Sequence, residues 1–160
     1  MTGDEKAEII AAYLKYLRWN RLPFTLPASR EQAAELLSQI ATRADENPYA
    51  DEVDLFGIIH SEPELAWELL LEIIAQAEEP ELYLLGAGDL ETFVSNQAVA
   101  YADRIVDEIR TNSKFRKAFE SLYLGSDMPA LVGRRFNDAL REAGVEEENI
   151  RDWWSEGGTA

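Results

Sequence analysis

His60 is the single histidine of the chain, and Glu62 and Glu64 follow it within four residues. An imidazole and two carboxylates that close together are the raw material of a metal site. Helical di-metal centres supply a Glu-x-x-His pair from each of two helices. Here the residue three before His60 is Gly57, and no second histidine exists. His60 is instead expected to end a helix, where its partial positive charge suits the dipole. Gly86-Ala87-Gly88 has the glycines of a phosphate loop but lacks the preceding strand, the third glycine and the lysine that such loops need, so it reads as a turn between helices. The Asp51-Glu52-Val53-Asp54 run, with Asp45 and Glu46 nearby, does not follow calcium-loop spacing. With no cysteine, thiol catalysis and thiolate metal sites are excluded. The 31 acidic residues always offer carboxylate pairs, but no histidine, cysteine or serine stands ready to complete a nucleophile. The expectation is a protein without catalytic, metal-binding or cofactor-binding residues, and not an enzyme.

Charge is the more informative chemistry. The 60 residues from Ala44 to Asp103 contain 15 aspartates and glutamates and no lysine or arginine, so most of the formal charge of −16 falls in one block. Residues 1–43 are nearly balanced, with six basic and five acidic side chains. Residues 104–141 hold eight basic and five acidic groups, clustered at Lys114-Arg116-Lys117 and Arg134-Arg135. An acidic surface repels nucleic-acid phosphate and anionic lipid and attracts cations. The basic segment is a poor nucleic-acid footprint in so acidic a chain. It is better placed to meet the acidic block, within the molecule or in a head-to-tail or two-fold homodimer.

Within that block, Glu64, Glu68 and Glu72 recur at i, i+4 on one helix face with no lysine to balance them, each like-charge pair costing roughly 0.2–0.5 kcal/mol. On a helical wheel Leu71 falls inside this face and Trp67 at its edge. An aromatic and an aliphatic anchor among carboxylates make a candidate partner-binding surface of Glu64, Trp67, Glu68, Leu71 and Glu72. The alternative is that a neighbouring helix buries Trp67 and Leu71 and the glutamates are only solvated.

The elements that must position these residues are helical throughout. Thr2 with Glu5 forms a capping box for a helix with Ile9, Ile10, Tyr13, Leu14 and Leu17 inward. Residues 20–28, with Pro23 and Pro27, form a loop. Ser29 with Gln32 starts a second helix with a stripe of Ala33, Leu36, Leu37 and Ile40, ending near Arg43. Val53, Phe56 and Ile59 predict a short helix over about 50–60, weakened by Gly57. Ser61-Glu62-Pro63-Glu64 reads as a capping box for the central helix, running to about Ala77 with Leu65, Ala66, Leu69, Leu70, Ile73, Ile74 and Ala77 inward. Pro80 restarts a turn over 81–85, and Asp89 caps a segment over 90–95. A helix over about 97–110 turns Tyr101, Ala102, Ile105, Val106 and Ile109 inward and is capped by Asn112. Phe115, Ala118, Phe119, Leu122 and Tyr123 form the next stripe, closed by Gly125. Asp127 caps a helix with Leu131, Val132, Phe136, Ala139 and Leu140 inward, ending at Gly144, and a last short helix spans 146–154 with Trp153 and Trp154. No strand alternation competes. The predicted fold is all-α: a compact multi-helix bundle of seven to nine helices, or stacked helical hairpins, in a single domain over 1–156 with a flexible tail over 157–160.

The run Leu84-Leu85-Gly86-Ala87-Gly88-Asp89-Leu90-Glu91, followed by an amphipathic helix and then Asn112-Ser113-Lys114-Phe115-Arg116-Lys117-Ala118, resembles a bacterial domain family of unknown function over Ser61 to about Tyr123. This resemblance implies no activity and transfers no functional residues. In class, though not in motif, a small, acidic, cysteine-free, all-helical chain is similar to the immunity proteins of toxin systems.

The opening MTGDEKAEII has no basic region leading into an apolar stretch, and no apolar run could span a membrane, so residence in the cytoplasm is expected. The functional expectation is a non-enzymatic, immunity- or antitoxin-like inhibitor of a basic protein partner such as a nuclease toxin, with no direct nucleic-acid contact. The alternatives are a nucleic-acid mimic that blocks DNA-binding or phage-defence proteins, and an accessory or scaffold protein.

Overall fold

The computed structural model describes residues 1–21, 28–124 and 128–151. Gly125, Asp127, Trp153, Trp154, the predicted loop prolines Pro23 and Pro27, and the tail over 157–160 lie outside the described residues. Nine α-helices occur among the described residues, and no strand. They are α1 (Gly3–Asn20), α2 (Arg30–Asp45), α3 (Leu55–Ser61), α4 (Pro63–Gln76), α5 (Glu79–Leu85), α6 (Glu91–Gln97), α7 (Ala102–Thr111), α8 (Ser113–Phe119) and α9 (Ala130–Glu142).

Helix α4 is central because its sequence is apolar nearly all round. Ala66, Trp67, Leu69, Leu70, Ile73 and Ile74 are all buried. It touches α1, α3, α6 and α8, while α7 joins α9 to α8 and α5 joins α8 to α1. One continuous core results. Its aromatic centre is Trp67, whose ring lies 5.3 Å from Phe93, 5.7 Å from Tyr101 and 5.8 Å from Phe115. These spacings suit offset and edge-on ring packing.

Helix ends follow local chemistry. The Thr2–Glu5 capping box forms as predicted. Ser29 accepts from the Gln32 N–H, but the Gln32 side chain accepts from Ala28 N–H, one residue before the cap. Asn112 ends α7 with its backbone N–H on Glu108 O, and its side chain accepts from Phe115 N–H at the start of α8, so one residue serves two helices. Gly144, at φ +86°, provides the left-handed stop after α9 that other residues adopt only at a cost.

Five expectations are corrected. Ser61 does not cap α4: it is the last residue of α3, and its hydroxyl donates to Gly57 O. Pro63 forces Glu62 out of helical geometry (φ −138°, ψ 67°), and that alone separates the two helices. Helix α3 begins later than predicted because Asp54 caps it, and Gly57 permits that cap, since a Cβ there would lie 2.2 Å from the Asp54 carboxylate. This start buries Leu55 and leaves Phe56 60% exposed. Asp89 does not cap α6. The chain kinks at Gly88 between α5 and α6, and the Asp89 carboxylate turns inward to Tyr13. Helix α7 starts at Ala102 rather than near Gln97, although its predicted inward residues are all buried. Tyr123 and Leu131, expected inward, are exposed: α8 ends at Phe119, four residues before Tyr123, and Leu131 points outward in the first turn of α9.

Candidate functional site: the groove between α1 and α4

The five residues proposed to meet a partner do not form one surface. Trp67 is 2% exposed and belongs to the core, so it cannot anchor a partner. Glu64 faces α7. It accepts from Arg104 at 2.7 Å and from the Tyr101 hydroxyl at 3.0 Å. Arg104 in turn lies 5.4 Å from the Trp67 ring and 5.1 Å from the Tyr101 ring, a cation over two aromatic faces. The Arg104 hydrogen bond, helped by Tyr101, holds the Glu64 carboxyl below its ordinary range. Glu64 is thus a fastening between α4 and α7.

Glu68, Leu71 and Glu72 come together on the opposite flank. With Leu69 and Gln76 from α4 and Gly3, Lys6, Ala7, Ile10 and Ala11 from α1, they line an open groove of about 590 Å³. The sequence builds it by placing small residues, Gly3, Ala7 and Ala11, on the α1 side, which leaves space beside the larger Leu71. Its floor is apolar and its α4 rim acidic. Lys6 reaches across to pair with Glu68, while Glu72 has neither ion pair nor hydrogen bond among the described residues.

The basic residues show why the exterior is so acidic. Arg18 pairs with the fully buried Glu81, Arg21 with Glu78, Lys117 with Glu79, and Arg135 with Asp103. Arg110 pairs with Glu142, and Arg141 with Asp138 and Glu147. Lys114 donates to the carbonyls of Ala75 and Ala77 at the end of α4, and Arg116 to those of Ile109 and Arg110 at the end of α7. Both placements suit the negative end of a helix. Among the described residues, Lys15, Arg30 and Arg134 are the cations without such a partner. Within the basic segment, Arg104, Lys117 and Arg135 thus meet the acidic block inside one molecule, while Arg110 and Arg141 pair with acids beyond it. Among the described residues, unpaired carboxylates remain at Asp4, Glu8, Glu31, Glu35, Asp45, Glu46, Asp51 and Glu52 on the N-terminal side, at Glu62 just before α4 and Glu72 on it, and at Asp107, Glu146 and Glu148 toward the C-terminus.

One half-buried acid was missed in sequence as a partner of the core. Tyr13, on α1, donates its hydroxyl to Asp89 at the α5–α6 kink. Burial pushes the Asp89 carboxyl up, the Tyr13 hydrogen bond opposes this, and Asp54 adds to it. Burial, then the Asp89 charge, raises the Tyr13 hydroxyl. Tyrosine at the centre of the α1 stripe was the available signal, since a buried hydroxyl needs a partner. His60 sits in the last turn of α3, as expected, with its Nδ1 2.8 Å from Phe56 O.

The fold and the groove define an all-helical protein with an acidic, internally fastened exterior. The chain belongs to the DUF6869 family of unknown function, whose model matches residues 38–143. That span reaches past residues 61–123 on both sides, and it leaves α1 and the first part of α2 outside. No curated protein and no solved structure matches the chain. No helix among the described residues is long and apolar enough to cross a membrane.

Proposed function

We propose that the protein is a non-enzymatic inhibitor of immunity or antitoxin type, which binds a basic protein partner such as a nuclease toxin through the α1–α4 groove. One observation carries this reading: the molecule's cations are almost all consumed by internal pairs, so the charge that faces outward is overwhelmingly negative. Such a surface steers a cationic partner inward and rejects anionic ones. Glu68 and Glu72 supply the charge, and Leu71 with the apolar floor supplies the contact. An incoming lysine or arginine takes the place of Lys6 on Glu68. A nucleic-acid mimic fits less well, because two of the three α4 glutamates are already committed to Arg104 and Lys6.

Capture of partners from native lysate, eluted stepwise with salt, tests this. The wild-type protein should retain one dominant basic protein that leaves at moderate salt. The double variant Glu68→Lys with Glu72→Lys, folded by circular dichroism, should lose it. Equal retention by both proteins, or no dominant basic protein, would remove the groove from consideration.

A further inference from the structure

Helix α2 has the sequence of a packed helix and the burial of an unpacked one: none of its 16 residues is buried. Its C-terminal end is fastened to α1. Asn47, just beyond it, donates to Tyr16 O and to Asn20 Oδ1 at 2.9 Å, and Arg43 donates to Trp19 O and lies 5.3 Å from the Trp19 ring. Ala33, Leu36 and Ile40 are half-covered. The adjoining strip of Ala34, Leu37 and Ala41 is open, with Leu37 56% exposed. The 3–4 spacing of that strip puts all three on one line, and the two alanines leave room for another helix to come close. Along its far edge the wheel places Glu31, Glu35 and Asp45, whose carboxylates have no ion pair or hydrogen bond among the described residues, and Arg30 stands at the N-terminal end of the strip as its one cation.

We propose that this outer face of α2 is a second docking surface, and that it takes a cationic amphipathic helix of a protein partner. Charge complementarity selects that occupant. An apolar line beside three free carboxylates, against the single Arg30 at its end, fits a helix with apolar residues at i, i+3 or i+4 and i+7 and lysines or arginines alongside. A second copy of this chain would instead set one net-negative face against another. The proposal rests on the cationic-partner reading above and locates a contact on a face separate from the groove.

The test uses the full chain, isotopically labelled, and two synthetic leucine–lysine peptides of identical composition. One is patterned as an amphipathic helix and the other is scrambled. The patterned peptide should bind about tenfold or more tightly than the scrambled one, with chemical-shift changes concentrated over residues 31–45. Leu37→Lys, at an exposed position that leaves the helix intact, should weaken it about tenfold. Glu68→Lys with Glu72→Lys should leave the shift changes over residues 31–45 in place. Unchanged binding by Leu37→Lys, or shifts mapping to the groove, would overturn this surface while leaving the groove reading standing. Equal binding of the two peptides would reduce the attraction to charge alone and overturn it as well. Binding of neither would remove both readings.

Discussion

Helices α2 and α4 carry apolar stripes of the same kind, and they end in opposite situations. In α4 six residues are buried, from Ala66 to Ile74. In α2 none is, and the helix is held mainly at its end by Asn47 and Arg43. The difference lies in what surrounds them. α4 is enclosed by α1, α3, α6 and α8, whereas α2 lies against α1 alone among its principal contacts. A 3.6-residue period reports that one face of a helix is apolar, not that anything covers it. Free carboxylates also gather on the α2 side, whereas the glutamates of α4 are partly spent on Arg104 and Lys6.

The contrast is broken most directly by truncating the core. Trp67→Ala should lower the unfolding free energy by about 3–5 kcal/mol in urea titration, since it opens a cavity among three aromatic rings. A loss under about 1 kcal/mol would mean that α4 is no better packed than α2. Gly86→Ala comes next. A Cβ there would lie 2.0 Å from Ala118 O and 1.9 Å from Ser121 Oγ, so α5 and α8 must separate. Overpacking of this kind costs about 1–3 kcal/mol, and the same titration reads it.

Tyr13→Phe should cost a similar or smaller amount, about 1–3 kcal/mol, because it strands the Asp89 carboxylate. The pH dependence sharpens this. Burial raises the Asp89 pKa, so the folded protein holds that proton more tightly than the unfolded chain does. The ionised form therefore opposes folding. That penalty is absent below the ordinary carboxylate range, grows as pH rises toward the raised pKa, and stays constant above it. Asp89→Asn should gain stability relative to wild type across that window, as read from urea midpoints at a series of pH values. A difference that shrinks as pH rises would contradict the direction of the shift. At the small end, Leu37→Ala on α2 should change stability by less than about 0.5 kcal/mol, as an exposed side chain does. A larger loss would show that α2 is packed in solution.

How much of this was legible follows from the same physics. The all-helical class, the core stripes of α1, α4 and α7, and the Thr2–Glu5 box were readable because each depends only on neighbours within a turn or two. Helix starts were less so. Ser61 matched a cap in sequence, yet α3 extends through it. Asp54 was read only as part of an acidic run, yet it caps α3 and fixes where that helix begins. Successive side chains of a helix lie about 100° apart, so a change of one residue in which face meets the core exchanges Leu55 for Phe56. The site suffered more. On a wheel Trp67 lies at the edge of the acidic face, and only the packing of α6, α7 and α8 decides that the edge is inside. The groove itself needed Gly3, Ala7 and Ala11 of α1, which are 57 or more residues from Glu68 and send no signal about it in sequence.

The double duty of Asn112 has a kinetic side. Because the Asn112 backbone N–H closes α7 on Glu108 O while its side-chain oxygen opens α8 at Phe115 N–H, neither end can fray without loosening the other. Amide hydrogens around this joint should therefore exchange with solvent together, as one cooperative unit, and more slowly than those of α2, whose first turn can open on its own.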